Sequence, residues 1–429
     1  MSFFQEADPD VLKVRAQCYD GASNMSGKYR GVQALVRERS PQANYIHCKA
    51  HCLNLALVHS SNFPCVRTMM STVQDISFLF DYSAKRLAAF VDELSRDVTT
   101  KEEMEQRTKL RTLCETRWSS RADALATFRN AFPVVVHSLE TLNDDGDNKA
   151  GQYLAGILCF EFIIALIVAE HVLSSTVALT NLLQKEDNDL LHAIGEAKVV
   201  IQLMNNERND PEVWGVLCEK ATNVAAEFDI IPSRPRRAGR QNHRANPDVD
   251  TVSDYWRITL FNAFLDHLIQ EMETRILSNE DRFVAQYLLP NRLPGLQDEM
   301  LPSIYAAYAP DLQHSFEAFG NEVARWRVRW NISESRPPRL QDTLRQTSKD
   351  LYPCIYGILG VLLTMPPTSA SCERSFSAMK RIKNYLRSTM STDRMSSLAL
   401  LHIHKDMDVD INNVINTFAS RKCRKLKFF

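Results

Sequence analysis

The sequence has little glycine and no excess of charge of either sign. Only 13 of its 429 residues are glycine, whereas leucine, alanine, glutamate and arginine are common. These four are good helix formers, so we expect a mostly helical protein. The formal net charge of −1 excludes a protein whose whole surface attracts nucleic acid, although a local basic patch stays compatible with it.

Signals for export and for membrane insertion are lacking as well. The first ten residues, MSFFQEADPD, contain no basic region followed by an apolar core, which excludes a signal peptide there. The most apolar stretch, YLAGILCFEFIIALIVAEHVL, carries Glu161, Glu170 and His171. Such residues are costly in a bilayer, so a buried helix is predicted. Ten cysteines without framework spacing favour a reducing, intracellular compartment.

The first sixty residues alternate between two kinds of pattern. Residues 11–19 alternate apolar and polar side chains and predict a strand, and residues 43–48 predict a second one. Residues 26–39 predict an amphipathic helix, and residues 49–61 another. The apolar face of the first helix consists of Val32, Leu35 and Val36. The order strand, helix, strand, helix is typical of an α/β layer.

From about residue 65 to 345 helical periodicity dominates. The segments with this period are 78–94, 120–139, 150–183, 188–206, 212–228 and 256–277. FEAFGNEVARWRVRWNI also predicts a helix, because its apolar stripe fits the helical period over its whole length. The Pro- and Arg-rich stretch IPSRPRRAGRQNHRANPDVD, near 231–250, has no periodicity. It predicts a linker or exposed loop that is either simply solvated, a contact for phosphates or a nuclear import signal.

The C-terminal part predicts three helices after residue 350. An apolar helix in LYPCIYGILGVLLTM ends at Pro366-Pro367, and a new helix begins near Ser369. A further helix follows, with Ser391 or Thr392 as its cap. The two latter helices carry apolar stripes composed of Phe376, Met379, Ile382, Met395, Leu398 and Leu401.

Four motifs, in this order, resemble the hAT transposase superfamily. They are CYDGASNMSGKYRGVQA, YIHCKAHCLNLAL, CETRWSSR and MPPTSASCERSFSAMKRIKNYLRSTMSTDRMSSLALLHIH. The closest likeness is to domesticated relatives that carry zinc-finger MYM-type or THAP-type modules upstream. The resemblance covers nearly the whole chain and is most specific in the C-terminal motif.

This resemblance implies an RNase H-like core interrupted by a large helical insertion. In the family, three carboxylates hold two divalent metal ions, Mg²⁺ or Mn²⁺, that act on a DNA phosphodiester. Asp20 matches the second carboxylate and Glu373 the third. No residue matches the first one, and Asp8 and Asp10 lie in a turn-like segment. We therefore expect a chain that lacks the opening strands of the core, is not an enzyme and needs no cofactor.

Two further motifs match positions that contact DNA in the family. Cys48 and His51 match its Cys-x-x-His motif, and both fall on one face of a helix. Core packing, a contact to a DNA end and a zinc site remain three open readings of HCKAHC. Arg117 and Trp118 match a motif whose Trp stabilises a flipped base. The alternative is an ordinary buried Trp beside a surface Arg.

Together these observations predict a mainly α protein with a partial α/β RNase H-like core, a large all-α insertion and a helical dimerisation region. The predicted domains are a partial core (1–62), the insertion (63–345) and the hAT-type dimerisation region (346–429). The first hypothesis is a transposase-derived nuclear scaffold or regulator that forms homodimers or pairs with related hAT-domain proteins. DNA is a further candidate partner, whereas no membrane and no small-molecule substrate is expected.

Two other function classes remain. One is a DNA transposase or nuclease whose missing strands belong to a longer product. The other is a DNA-binding module, which the lack of a zinc-finger pattern and of an obvious recognition helix weakens. An upstream sequence that encodes further strands with another Asp would favour the enzyme.

Overall fold

The computed structural model describes residues 13–113, 118–185, 189–235, 249–277, 280–384, 387, 389–405 and 407–420. It divides into two compact units, Met1–Ser369 and Ala370–Phe429. Helices dominate the described residues, so the expectation of a mainly α protein is confirmed.

Two short parallel strands open the first unit. Strand β1 (Ala16–Tyr19) pairs with β2 (Asn44–His47), and Tyr19 lies opposite His47. Helices α1 (Ser23–Ser26) and α2 (Val32–Arg39) form the crossover, and α3 (Lys49–Ser60) follows β2. The predicted order of elements is therefore present. The two strands form the only sheet among the described residues, which leaves the RNase H-like core a prediction.

Helix α2 corrects the predicted helix over 26–39. It begins only at Val32, after Gly27 and Gly31, which lie so close together that a Cβ on Gly31 would meet the Gly27 backbone at 2.5 Å. The predicted apolar face is not its buried one, since Leu35 is exposed. The buried side chain of this helix is Gln33, whose Nε2 donates to the backbone oxygen of Gly27 at 3.1 Å. The crossover is therefore held in place by a hydrogen bond of a buried polar side chain and not by the burial of the predicted apolar face.

Helices make up most of the rest of the first unit. Their bounds are Pro64–Asp81 (α4), Ala84–Arg96 (α5), Val98–Glu103 (α6), Trp118–Asn130 (α7), Phe132–Asp144 (α8), Asn148–Ile157 (α9), Phe160–Ser174 (α10), Val177–Leu183 (α11), Leu190–Asn209 (α12), Pro211–Ala226 (α13), Val252–Trp256 (α14), Ala263–Met272 (α15), Leu301–Tyr308 (α16), Phe316–Ile332 (α17), Leu340–Gln346 (α18) and Pro353–Leu363 (α19). Two π-helical turns, Arg257–Asn262 and Glu273–Leu277, flank α15. The 3₁₀ segments are Glu280–Leu288, Leu293–Gly295, Asp298–Met300 and Ala309–Asp311.

Three predicted helices are each divided in the structure. The one over 78–94 is interrupted before α5, where the Ser83 side chain caps the Arg86 N–H. The one over 120–139 ends at Asn130, and α8 starts afresh with Pro133 in its first turn. The run over 150–183 forms α9, α10 and α11. Apolar periodicity continues across these breaks because both halves face the same core, so the period alone misses them.

The predicted buried helix around Glu161 and Glu170 is confirmed as α10, most of whose side chains are buried. Glu170 accepts a hydrogen bond from Arg129 at 2.8 Å. Across the described ranges no single helix is long and apolar enough to cross a membrane. Helices α9 and α10 pass that test only as a pair bent by 71°.

Two hydrophobic clusters hold the first unit together. The main cluster joins α3 to α15 around Phe128, Phe132 and Phe264. The second cluster combines α17 and α19 with the segment from 285 to 308 and includes Ile46 of β2. One face of the small sheet therefore packs onto helices of the first unit. An ion pair of 2.6 Å between Arg15 and Asp311 adds to this attachment.

Helix α17 confirms the predicted helix in FEAFGNEVARWRVRWNI. Phe319, Val323, Trp326 and Trp330 are buried, as the helical stripe requires, whereas Val328 is exposed. The Trp326 indole donates to the Leu288 backbone oxygen at 2.8 Å. Helix α17 is thus fixed in the second cluster.

The second unit contains three described helices, Ala370–Ile382 (α20), Thr392–Ile403 (α21) and Ile411–Ser420 (α22). The predicted helix start near Ser369 and the cap position at Ser391 agree with α20 and α21, although Ser391 makes no side-chain cap bond. Helix α19, which the sequence groups with them, packs in the second cluster of the first unit.

Candidate functional site

Asp20, the matched second carboxylate, lies directly after β1 and is exposed. Its Oδ1 accepts the Ala22 N–H at 3.2 Å, and its backbone oxygen accepts the Tyr45 hydroxyl at 3.1 Å. A short-range bond from an Asp side chain to a backbone N–H two residues on is a common turn device. The turn between β1 and α1 therefore gives Asp20 a structural role.

Gly21 has a steric reason to follow Asp20. A Cβ at this position would lie 2.8 Å from Nε2 of His47 on the neighbouring strand. The His47 ring centroid lies 6.1 Å from that of Tyr45 and 6.2 Å from that of His51. Burial, the neighbouring His51 and Lys49 lower the pKa of His47. Its buried Nε2 has no hydrogen-bond partner among the described residues.

Cys48, the first residue of the matched Cys-x-x-His pair, is fully buried between β2 and α3. Its Sγ accepts the Ser369 N–H at 3.3 Å, and the adjacent Lys49 N–H donates to the Pro367 oxygen at 2.9 Å. A hydrogen bond with Cys18, followed by the Ser369 contact, lowers the pKa of Cys48 to about 6 in spite of its burial. This cysteine thus fastens residues 367–369 to the end of the sheet.

His51, the second residue of the pair, lies one turn along α3 and is half-buried against His47. Cys52 beside it is buried, which raises the pKa of its thiol to about 11. Among the residues that the structure describes, no group of three or more His, Cys, Asp or Glu is placed to hold a metal ion. The geometry supports packing for Cys48, while a DNA contact of His51 stays a prediction.

Of the CETRW motif, Arg117 lies outside the described residues and Trp118 is the first residue of α7. Most of the basic loop also lies outside them. Arg234, at its start, donates to the Val249 oxygen at 2.7 Å and lies 5.7 Å from the Tyr255 ring centroid. The nucleic-acid roles of both segments therefore remain predictions.

Glu373, the matched third carboxylate, is exposed in the first turn of α20. It belongs to the second unit, whereas Asp20 belongs to the first.

The predicted dimerisation residues lie on α20 and α21, and each of them is at least partly exposed. Phe376 and Leu401 are 67% and 66% exposed, and Met379 is 39% exposed. Ile382, Met395 and Leu398 are half-buried. Ala370 is the one buried residue among the described part of this unit. The helices therefore present their apolar side chains at the surface of the chain.

Sequence reasoning missed a further part of this surface. The additional exposed apolar residues are Leu400, Ile403, Met407, Val409, Ile411, Val414, Ile415 and Phe418. The last four follow the spacing i, i+3, i+4, i+7 of an amphipathic helix. That period is present in INNVINTF and would have predicted α22.

Comparison with known proteins places this surface in a defined class. Residues 343–407 match the hAT family C-terminal dimerisation region. The resemblance to the hAT family that the motifs indicate is therefore confirmed.

Two curated relatives extend the likeness to nearly the whole chain. The protein named 52 kDa repressor of the inhibitor of the protein kinase is 28% identical in its human form, over 94% of this chain and 54% of its own length. The mouse protein of the same name is 28% identical over 94% of this chain and 55% of its own length. The chain thus spans about half the length of the relatives it matches.

Proposed function

We propose that this protein is a transposase-derived regulator that self-associates through its C-terminal unit. The observation that carries the proposal is the match of residues 343–407 to the hAT dimerisation region, combined with the exposed apolar side chains of α20 and α21. Contiguous apolar surface of this kind marks an interaction site more often than a solvated surface. A second copy of the chain, or another protein with the same region, is the partner.

The amount of apolar surface supports an extensive interface. In the described part of the second unit nearly every large apolar side chain is at least partly exposed. A stable protein–protein interface buries about 1,600 Å² in total. Three helices with a single buried residue among those described offer surface on that scale.

The relatives' name describes a repressor, and the nucleus is the setting that we propose for this regulator. The run of arginines that begins at Arg234 supplies a candidate import signal. The role that we propose for the dimer is that of a scaffold in this regulation.

Catalysis is not part of the proposal. The bond from Asp20 to the Ala22 N–H gives this carboxylate a turn-forming role. We expect no cleavage or strand transfer with Mg²⁺ or Mn²⁺, and metal-dependent cleavage that disappears in Asp20→Asn would favour the transposase alternative.

Light scattering during size exclusion tests self-association of the full chain. We expect a dimer at micromolar concentration, and a shift toward monomer in Phe376→Asp and Leu401→Asp. Both side chains are about two-thirds exposed, so the charge does not enter the core of the monomer. Ser377→Asp is the matched control, because it adds the same charge to the side of α20 opposite Met379 and Ile382. A wild-type monomer, or an equal effect of the control, would contradict the proposal.

A further inference from the structure

Helix α17 of the first unit has an exposed side opposite the one that it buries in the second cluster. Ala324, Val328 and Ile332 form an apolar row on this side, because they follow one another at intervals of one helical turn. Val328 is 60% exposed and Ile332 is 79% exposed. The row borders an open groove of about 610 Å³, which we call the α17 groove. Its lining consists of Ala324, Arg325, Val328, Arg329, Ile332 and Tyr352.

Two arginines form a second row beside the apolar one. Arg325 and Arg329 are one helical turn apart, and their guanidinium carbons lie 5.8 and 5.6 Å from the ring centroid of Tyr352. A backbone oxygen holds each of them as well. Arg325 Nη2 donates to the Leu351 oxygen at 3.2 Å, and the Nη2 of the other arginine donates to the Gln346 oxygen at 2.9 Å. Both cations are therefore held in position at the groove.

The charge of these two arginines is not balanced by an ion pair within the part of the chain that the structure describes. Arg327 of the same helix, in contrast, pairs with Asp298 at 2.7 Å. The carboxylate of Glu322, one turn before Arg325, is buried and accepts backbone N–H groups of α19. Like charges one turn apart on a helix repel each other. A carboxylate that binds both Arg325 and Arg329 would relieve this repulsion and use N–H donors that their carbonyl contacts leave available.

The spacing of the two rows indicates the kind of partner. Both rows repeat once per helical turn, so an amphipathic helix that has apolar side chains and carboxylates at the same spacing matches the two together. Nucleic acid matches the arginines alone, because its phosphates gain nothing from the exposed Val328 and Ile332. Charge complementarity and the apolar row therefore favour an acidic segment of a protein.

We propose that the α17 groove binds an acidic amphipathic helix of a partner protein. Carboxylates of that helix bind Arg325 and Arg329, and its apolar side chains pack on Val328 and Ile332. The row from Ala324 to Ile332 is about 12 Å long, at 1.5 Å per residue, so about two turns of the partner make contact. A contact of this size lies below the range of stable interfaces, and the complex is a transient one. This function is separate from self-association, because the groove belongs to the first unit.

The first test measures the binding of a fluorescein-labelled peptide to the full chain by fluorescence anisotropy. The peptide has about 16 residues, enough for a helix to form, with leucines one turn apart and a glutamate beside each of them. The control peptide has glutamine in place of every glutamate. We expect the acidic peptide to bind at least about tenfold more tightly at low salt, and this preference to decrease as salt is added. Equal affinities of the two peptides overturn the proposal.

Variants of the lining test whether the peptide occupies the α17 groove. Arg325→Gln removes one cation, and Val328→Asp places a carboxylate in the apolar row. Each should weaken binding of the acidic peptide by about five- to tenfold. The matched controls make the same changes at exposed positions of other helices, Arg37→Gln in α2 and Val216→Asp in α13. They should change the affinity by less than about twofold, and equal losses in groove and control variants overturn the proposal.

Further outcomes separate this inference from other occupants and from the proposed function. If a labelled DNA duplex binds with an affinity that falls in Arg325→Gln, and the acidic peptide does not bind, the groove is a nucleic-acid site and the proposal is wrong. It is also wrong if Arg325→Gln or Val328→Asp converts a wild-type dimer into a monomer, because the groove then belongs to the dimer interface. A wild-type monomer that binds the acidic peptide through the groove supports this inference and contradicts only the proposed self-association.

Discussion

The two units of the chain treat their apolar residues in opposite ways. In the first unit, Phe80, Phe90, Phe264 and Phe319 are almost completely buried among helices. In the second, the described helices leave Phe376 and its neighbours exposed, and only Ala370 is buried. Residues of the same type therefore serve an internal core in one region and an outer surface in the other.

This contrast indicates which unit needs a partner. The first unit buries its apolar side chains in two clusters of its own. The second has no comparable cluster among its described residues, so its helices gain apolar contacts chiefly by association. Stability of the first unit should then be independent of protein concentration, whereas order in the second should increase with it.

The sharpest way to test this contrast is the same substitution in both units. Phe319→Ala removes a ring that is completely buried beside Tyr305, and we expect it to lower the free energy of unfolding by about 3–5 kcal/mol. Phe376→Ala changes an exposed ring and should cost less than about 0.5 kcal/mol when measured below the dimer dissociation constant. Denaturant titration followed by circular dichroism measures both. Similar losses would refute the contrast.

A smaller loss is expected from a buried charge that organises the second cluster. The carboxylate of Glu322 is buried in α17 and accepts the N–H groups of Cys354 and Ile355, each at 3.1 Å, at the start of α19. Glu322→Gln keeps the shape but replaces one acceptor by a donor. We expect a loss of about 2 kcal/mol.

Glu317→Gln is the control for this experiment, because Glu317 is exposed in the first turn of the same helix. It should change the free energy of unfolding by less than about 0.5 kcal/mol. If both variants unfold like the wild type, the Glu322 carboxylate does not hold α17 and α19 together.

The sequence predicted helix content and element order better than element ends. The apolar stripe that predicted α17 correctly consists of Phe316, Phe319, Val323, Trp326 and Trp330. A buried helix side must repeat with the helical period, and of these five only Phe316, at the start of the helix, is exposed. The sequence did not predict that 150–183 is divided into three helices, because all three segments are apolar on the side that faces the core. Both strands are shorter than predicted. Each one pairs with a single neighbouring strand, over only four residues.

The candidate site shows the same limit. The motif match located Asp20 and Cys48, but the bonds that explain them come from Ala22 and Ser369. Ser369 is 321 residues away from Cys48, and no local pattern reports a contact at that separation. Helix α22 is different, because its period was visible in the sequence and was overlooked.

The hydrogen bond between Cys48 and Cys18, together with the Ser369 contact, predicts a dependence of stability on pH. The folded-state pKa of Cys48, about 6, lies below the ordinary value of 9.0. A depressed pKa stabilises the folded state as pH rises above about 6, and this stabilisation is lost as pH falls through 6. The slope is at most about 1.4 kcal/mol per pH unit. We expect a gain of about 1–2 kcal/mol for the wild type between pH 6 and 8, relative to Cys48→Ala.

Cys52→Ala is the matched control, because burial raises the pKa of Cys52 to about 11. Its thiol stays protonated from pH 6 to 8, so the difference from the wild type should be constant in that range. A pH-independent difference for Cys48→Ala as well would show that Cys48 acts by packing alone. Denaturant midpoints at three pH values decide between these outcomes.

The smallest expected effect concerns the close contact between Gly21 and His47 at the sheet end of the first unit. Gly21→Ala forces the His47 ring away from a position 2.8 Å from the new Cβ. The movement disturbs the contacts of this ring with Tyr45 and His51, whose ring centroids lie 6.1 and 6.2 Å from it. We expect a loss of about 1 kcal/mol in the free energy of unfolding. Gly215→Ala in α13 is the control, since no atom lies within 4 Å of its Cβ position, and it should stabilise the protein by about 0.4–1 kcal/mol. Thermal melts of the two variants should therefore shift in opposite directions. A stabilising Gly21→Ala would mean that the small sheet is packed more loosely than the helical body to which it is attached.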